Sequence, residues 1–407
     1  IRADAYLDVR TGKLIKPANI LIKDGLIASI NSTTLPNDMT YIDLKNKILL
    51  PGLMDMHVHL DLDFNGGFEH IITKESASKG AIRAVKNAEK TLMAGFTTIR
   101  NVGQGHISLD LVNVAVAEAS DEGWIKAPRI IAAGHMITIS GGHGDLTLGL
   151  AEELIKVGPE HGIINGPIDA LKAVRYQIKH GAKVIKIHAT AGVLSLEDSV
   201  GAQQLTNEEM KVIIDEASRH GIKVAAHAHG TEGIIAAINA GVASIEHGSL
   251  INDEAMKLMK EKGVVLVPTT GLVDNILSSV DKINPKMVKK AKYVLPLAQI
   301  NLSKAIKAGV KIALGTDAPL IPHGQNAKEL SALVERGMKP IDALRAATIN
   351  SAELLGQKNL GEIKEGFLAD IIAVDLNPIK HIKTLESVKF VMKGGIVYKH
   401  ENQYILD

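Results

Sequence analysis

No cysteine occurs in the 407 residues, which excludes a disulfide framework and thiolate metal ligands together. Any metal site must therefore use histidine and carboxylates, and 16 histidines are available. Aromatic residues make up only 3% of the chain, so the core must be filled by Ile, Leu, Val and Ala. Excess charge of either sign is also missing. The 46 Lys and Arg stand against 45 Asp and Glu, so neither nucleic acid nor an anionic membrane surface is an expected partner. No apolar run approaches the roughly 20 residues that cross a bilayer. The chain starts at Ile1, not Met; a cytoplasmic location is the expectation, or a periplasmic or secreted one if an upstream signal peptide has been removed.

What remains is an ordinary globular balance, 46% hydrophobic and 22% charged, long enough for one large domain or two to three smaller ones. Residues 1–50 read as short strands with Thr11-Gly12 and Asp24-Gly25 turns, Asp-Gly between apolar runs being a hairpin signal. From about residue 53 strands alternate with helices. Strands are expected to end near His57, then at Phe96–Arg100, Pro128–Gly134, Lys183–His188, Lys223–His227, Ala243–His247, Val264–Pro268 and Lys311–Asp317. Gly95, Gly181, Gly221, Gly241, Gly263 and Gly309 fall where a helix closes before the next strand. Eight such units predict an α/β fold, a (β/α)8 TIM-type barrel over residues 53–355, with a doubly wound open sheet as the alternative. Strands return after residue 356. The two ends, 1–52 and 356–407, are expected to pair into one small β-sandwich domain.

Chemistry concentrates at strand ends, where a barrel carries its reacting groups. In Pro51-Gly52-Leu53-Met54-Asp55-Met56-His57-Val58-His59 the i, i+2 spacing puts Asp55, His57 and His59 on one strand face. Two imidazoles there can hold one cation, or simply be a hydrogen-bonded pair. Lys186, His227, His247 and Asp317 end later strands. A desolvated Lys186 loses its proton, and the neutral amine can add carbon dioxide to give a carbamate that bridges two cations; a core lysine paired with a carboxylate is the plain alternative. His227 and His229 form another i, i+2 pair. Asp317 could serve as an N-cap instead of a ligand. His143 sits in Ser140-Gly141-Gly142-His143-Gly144-Asp145, either an ordinary turn or a donor to a carbonyl oxygen that becomes anionic. His220, at a helix end, and Arg175, on a helix surface, are read as structural.

The His-x-His stretch, Val-Ile-Lys-Ile, Ala-Ala-His-Ala-His-Gly, Ile-Glu-His-Gly and Gly-Thr-Asp-Ala-Pro occur in an order that resembles the amidohydrolase superfamily. Gly-Phe-Thr-Thr-Ile-Arg-Asn-Val-Gly and Ser-Gly-Gly-His-Gly-Asp make the chain similar to its imidazolonepropionase-like, prolidase-related group of Xaa-Pro dipeptidases and Xaa-Arg/Lys carboxypeptidases. The resemblance implies two divalent metal ions, with zinc expected. His57, His59 and Asp317 would hold the more buried one, carboxylated Lys186 would bridge, and His227 and His247 would hold the other. Asp317 would carry the water proton, and His143 or His229 would contact substrate. The implied substrate is a dipeptide or N-acyl amino acid, cleaved to release the C-terminal residue by a homo-oligomer. A cyclic-amide hydrolase resembling imidazolonepropionase is the rival within the superfamily; a catalytically silent metal-stabilised scaffold is the rival outside it.

Overall fold

The apolar run Ile48-Leu49-Leu50 ends the strand Asp43–Pro51, and the chain passes through Gly52 directly into the strand Leu53–Val58. Glycine is required at this junction, because a Cβ there would lie 2.1 Å from Thr97 Oγ1. The computed structural model describes residues 1–33, 39–63, 67–151, 153–197, 199–278, 284–400 and 403–404; the last residues of the expected 356–407 segment lie partly outside them.

Leu53–Val58 pairs in parallel with Phe96–Asn101, which pairs in parallel with Arg129–Ala132. A second parallel set follows in chain order: Val184–His188, Lys223–Ala228, Ser244–His247 and Val265–Val267. All residues of these seven strands but Lys223 are buried or half-buried, as parallel strands under helices must be. Helices Ala77–Met93, Val112–Asp121, Pro167–Lys179, Asn207–Arg219, Thr231–Ala240 and Asp253–Lys262 separate them. All six glycines marked as helix ends adopt positive φ, from 67° to 105°. Asn207–Arg219 opens with a capping box: Thr206 Oγ1 accepts from Glu209 N, and Glu209 Oε2 accepts from Thr206 N.

The expected eighth strand, Lys311–Asp317, is not a regular one. It makes single parallel bridges, Ile312 to Leu266 and Ala318 to Val58. Met56 N donates to Leu314 O, Asp317 N to His57 O and Ala313 N to Leu266 O, but Leu314 N turns to Ala346 O, and Asn350 Nδ2 donates to Ile312 O. Gly315 is pressed against Val267 and His57, and Asp317 has φ 56°, which breaks the pleat where the side chain must face inward. Two further departures are an excursion after Arg129–Ala132, with short parallel strands at Thr138–Ile139 and Ile163–Ile164, and a helix Gly271–Ser278 ahead of the expected long helix Pro285–Lys307.

The chain ends meet in one nine-stranded sheet. Its order runs 403–404, 396–400, 390–393, 371–374, 43–51, 2–8, 18–23 and 26–30, with 13–15 against 2–8. Where a small β-sandwich is expected, the structure has this single path, tied back by Ile27 N donating to Phe367 O and Ala369 N to Gly25 O. Inside lie Ala18, Ile20, Ile27, Leu44, Leu49 and Phe390. Among the described residues no helix is long and apolar enough to cross a membrane.

Candidate metal centre

The parallel strands aim their C-terminal ends at one place. His57 and Lys186 lie within strands, His188, His227 and His247 at or near strand ends, and His59 and His229 just beyond. Asp317 arrives on the irregular segment and His143 on the glycine loop. The imidazoles form a contiguous chain, with ring centroids 5.0 Å apart for His57 and His247, 4.7 Å for His247 and His227, and 4.3 Å for His227 and His143. Among the described residues two sets of three place donor atoms within 4.8 Å of one another: His57, His59 and Asp317, and His143, His188 and His227. Asp317 Oδ1 lies 3.4 Å from Nε2 of both His57 and His59.

The partners of each Nδ1 decide what its Nε2 can do. His57 Nδ1 faces Glu246 Oε2 at 2.8 Å, and His59 Nδ1 faces the Gly103 carbonyl at 2.9 Å. Neither partner can donate, so Nδ1 carries the proton and, in a neutral ring, Nε2 offers a lone pair. His143 Nδ1 meets Ser195 Oγ at 2.8 Å, but that hydroxyl gives its proton to Glu197 Oε1. His143 Nδ1 must then donate, which leaves its Nε2 an acceptor too. His229 Nδ1 meets Ser249 Oγ and His247 Nδ1 meets Thr269 Oγ1, hydroxyls that can donate or accept. His227 Nε2 is buried with no hydrogen-bond partner, an orphaned ring nitrogen within the group.

Burial favours the neutral form of five of the rings, the form that metal ligation demands. It lowers His143 and His229 to about 3 and His188, His227 and His247 well below the ordinary imidazole value. Lys186 is lowered to about 8 by burial, against the attraction of Glu246 and Asp317. Burial would raise Asp317, but the facing His57 and His59 hold it well below the carboxylate range. The donor set, the orphaned nitrogen and the neutral rings fit divalent cations.

Asp55, expected on the same face as the two histidines, instead ties down the irregular segment. It accepts from Thr316 N, Thr316 Oγ1 and Asn326 Nδ2, and burial raises it to about 6. Three residues went unmarked in the sequence: His188, Glu246 and Arg100. His188 follows Lys186 at i+2, the spacing that drew attention to His57 and His59. Glu246 and Arg100 carry no local signal, since they meet only across strands. His220 and Arg175 lie on the surface beside Glu216, away from these groups. A pocket opens above the site, with His143, His227, His229, His247 and Asp317 on its floor.

Histidines and a carboxylate gathered at the C-terminal ends of parallel strands define a hydrolase of the metal-dependent kind. The chain belongs to the amidohydrolase family, whose model matches residues 48–397. It is 36% identical to the ochratoxinase of Aspergillus niger, over 95% of this chain and 84% of that protein. Among solved structures, a Xaa-Pro dipeptidase with methionine bound in its active site superposes with a TM-score of 0.91 at 40% identity, covering 98% of each chain. A prolidase complexed with N-methylphosphonate-L-proline gives 0.87 at 29% identity, over 98% of this chain and 99% of that one. The protein is accordingly an enzyme that hydrolyses amide bonds.

Proposed function

We propose that the protein is a binuclear metal-dependent amidohydrolase of dipeptides or N-acyl amino acids, releasing the C-terminal amino acid. The observation that carries this reading is the pair of three-residue donor sets beside one pocket, which His143, His227 and Asp317 line, with His227 Nε2 left without a hydrogen-bond partner. The likeness to a Xaa-Pro dipeptidase holding an amino acid, and to a prolidase, favours a linear amide over a cyclic one. The catalytic body is read as residues 53–355 in a closed eight-stranded barrel, which the bridges at Ile312 and Ala318 support. The sheet of the two chain ends is read as a second domain.

His57, His59 and Asp317 would hold one metal, His227 and His247 the other, and Lys186 both. Lys186 Nζ reaches that role by adding carbon dioxide with loss of one proton, a step that its lowered basicity favours. When bound, divalent ions, zinc being expected, make a water acidic enough to ionise near neutral pH and polarise a carbonyl. Asp317 accepts the proton of the attacking water and returns it to the nitrogen of the leaving amine. His229 is the better donor to the carbonyl oxygen. Its serine partner can supply the Nδ1 hydrogen bond and leave a proton on Nε2, whereas Ser195 and Glu197 deny His143 that tautomer.

The test is mass-spectrometric product analysis of zinc-loaded protein on dipeptides, N-acyl amino acids and imidazolonepropionate. Release of C-terminal amino acids is expected, and opening of the cyclic amide alone would overturn the reading. Asp317→Asn is expected to retain metal yet lose about 10²–10⁴-fold in kcat; unchanged turnover would remove Asp317 as the proton carrier.

A further inference from the structure

The pocket has two unlike halves. Its floor holds the histidines and Asp317. Its walls are made by the loop after Val184–His188 (Val193, Leu194), the helix Gly271–Ser278 (Leu272, Val273) and the long helix (Leu295, Leu302). Leu272, Val273 and Leu295 also pack with Val193 in one apolar cluster, so this wall is continuous with a small core. No Lys, Arg or Glu is among the described residues that line it.

Among the described residues, Lys290 and Glu197 hold the loop that carries Val193 and Leu194. Lys290 is buried in the long helix and donates to three carbonyls of the same loop: Gly192 O at 2.9 Å, Ser195 O at 2.7 Å and Glu197 O at 2.8 Å. Glu197 Oε1 accepts from Gly192 N and Ser195 Oγ. The anion on the floor, Asp317, faces His57 and His59.

We infer that this wall is the specificity pocket of the enzyme: it takes an uncharged aliphatic or aromatic side chain flanking the scissile amide and rejects basic and acidic ones. The inference rests on the amide-hydrolase reading and goes beyond it by choosing among side chains. An apolar side chain entering the pocket leaves water for a matched surface, whereas a guanidinium or ammonium loses its hydration and meets no carboxylate among the described residues of the wall. This sets the protein apart from an enzyme built for Xaa-Arg or Xaa-Lys, which needs an acidic group in its wall.

The experiment measures kcat/KM of the metal-loaded enzyme on two series. One varies the C-terminal residue behind a fixed acyl group; the other varies the residue before a fixed C-terminal one. In at least one series Leu, Met and Phe are expected to exceed Lys, Arg, Asp and Glu by about tenfold to hundredfold or more. Absence of an apolar preference from both series, whether through equal rates or through a preference for basic residues, would overturn the inference while leaving amide hydrolysis intact. Cleavage of no linear amide in either series would overturn the underlying reading and the inference with it. Leu194→Asp, at a half-buried position, is expected to raise Lys or Arg relative to Leu by about tenfold; a variant that folds and binds metal with an unchanged ratio would show that Leu194 does not face the substrate side chain.

Discussion

Glu246 and His247 are neighbours in sequence with opposite duties. The glutamate points to the interior of the strand set, where Arg100 Nη2 donates to one oxygen and His57 Nδ1 to the other. Arg100 also donates through Nε to Met56 O and through Nη1 to Ser244 Oγ, so one guanidinium fixes three strands behind a single ligand ring. Burial would raise Glu246, but Arg100 and His57 bring it down to about 2. The histidine has φ 68° and turns its ring into the pocket; backbone of this kind persists where surrounding structure imposes it. That geometry bears on which ring completes the second metal set. His188 brings a donor nitrogen within 4.8 Å of donors on His143 and His227, yet its ring lies 5.1 Å from His227 against 4.7 Å for His247, and it is packed against Gly144, where a Cβ would fall 2.0 Å from its ring. His247→Ala is expected to lose one of two metal equivalents, while His188→Ala keeps both and loses mainly stability. Metal content by inductively coupled plasma measurement decides the point, and the reverse pattern would move the second site to His143, His188 and His227.

Elements, more than single residues, determined what could be read in advance. The i, i+2 rule placed His57 and His59 together because a strand leaves side chains no choice of face. The glycine stops located helix ends because only a left-handed residue closes a helix that sharply. Neither rule reaches the loops. The excursion from Thr138 to Ile164, the helix Gly271–Ser278 and the irregular segment at Lys311–Asp317 are fixed by contacts distant in sequence, and His188, Glu246 and Arg100 acquire meaning only when strands are set side by side. Lys290 belongs to this class. It reads as one more helix lysine, yet its ammonium straps the loop that carries Val193, Leu194 and the partners of His143. Lys290→Met keeps the stem and removes the donors. It should cost roughly 2–4 kcal/mol of stability, since three carbonyls, one of them buried and two partly so, lose a charged partner. It should also raise KM for apolar substrates more than it lowers kcat, with metal content unchanged. Urea unfolding with steady-state kinetics would test this; a uniform loss of kcat with KM fixed would make Lys290 a folding residue only.

At the scale of the molecule, a core largely free of aromatics encloses an unusual density of imidazole. Beyond the rings of the site, His135 and His323 are also held down by burial, to about 4. A histidine whose folded pKa is depressed disfavours the folded state wherever the unfolded chain binds its proton and the folded chain does not. With His143 and His229 near 3, that window runs from about 6.5, the unfolded value, down to about 3. Stability is therefore full above about 6.5 and falls with acidification, each histidine contributing at most about 1.4 kcal/mol per pH unit within the window. Bound cations compete with protons for the same nitrogens, so they add stability at neutral pH and lose their hold as the pH drops. The metal-free protein should show a Tm that declines steeply between pH 6.5 and 5, while the zinc-loaded protein has a higher Tm at pH 7 that converges on the metal-free value in acid. Calorimetric scans of both forms across that range are the check. A metal-free Tm that stays level from pH 7 to 5 would mean that the rings take up protons without unfolding, and that the neutral, ligand-ready cluster described here is not the state the protein holds before metal arrives.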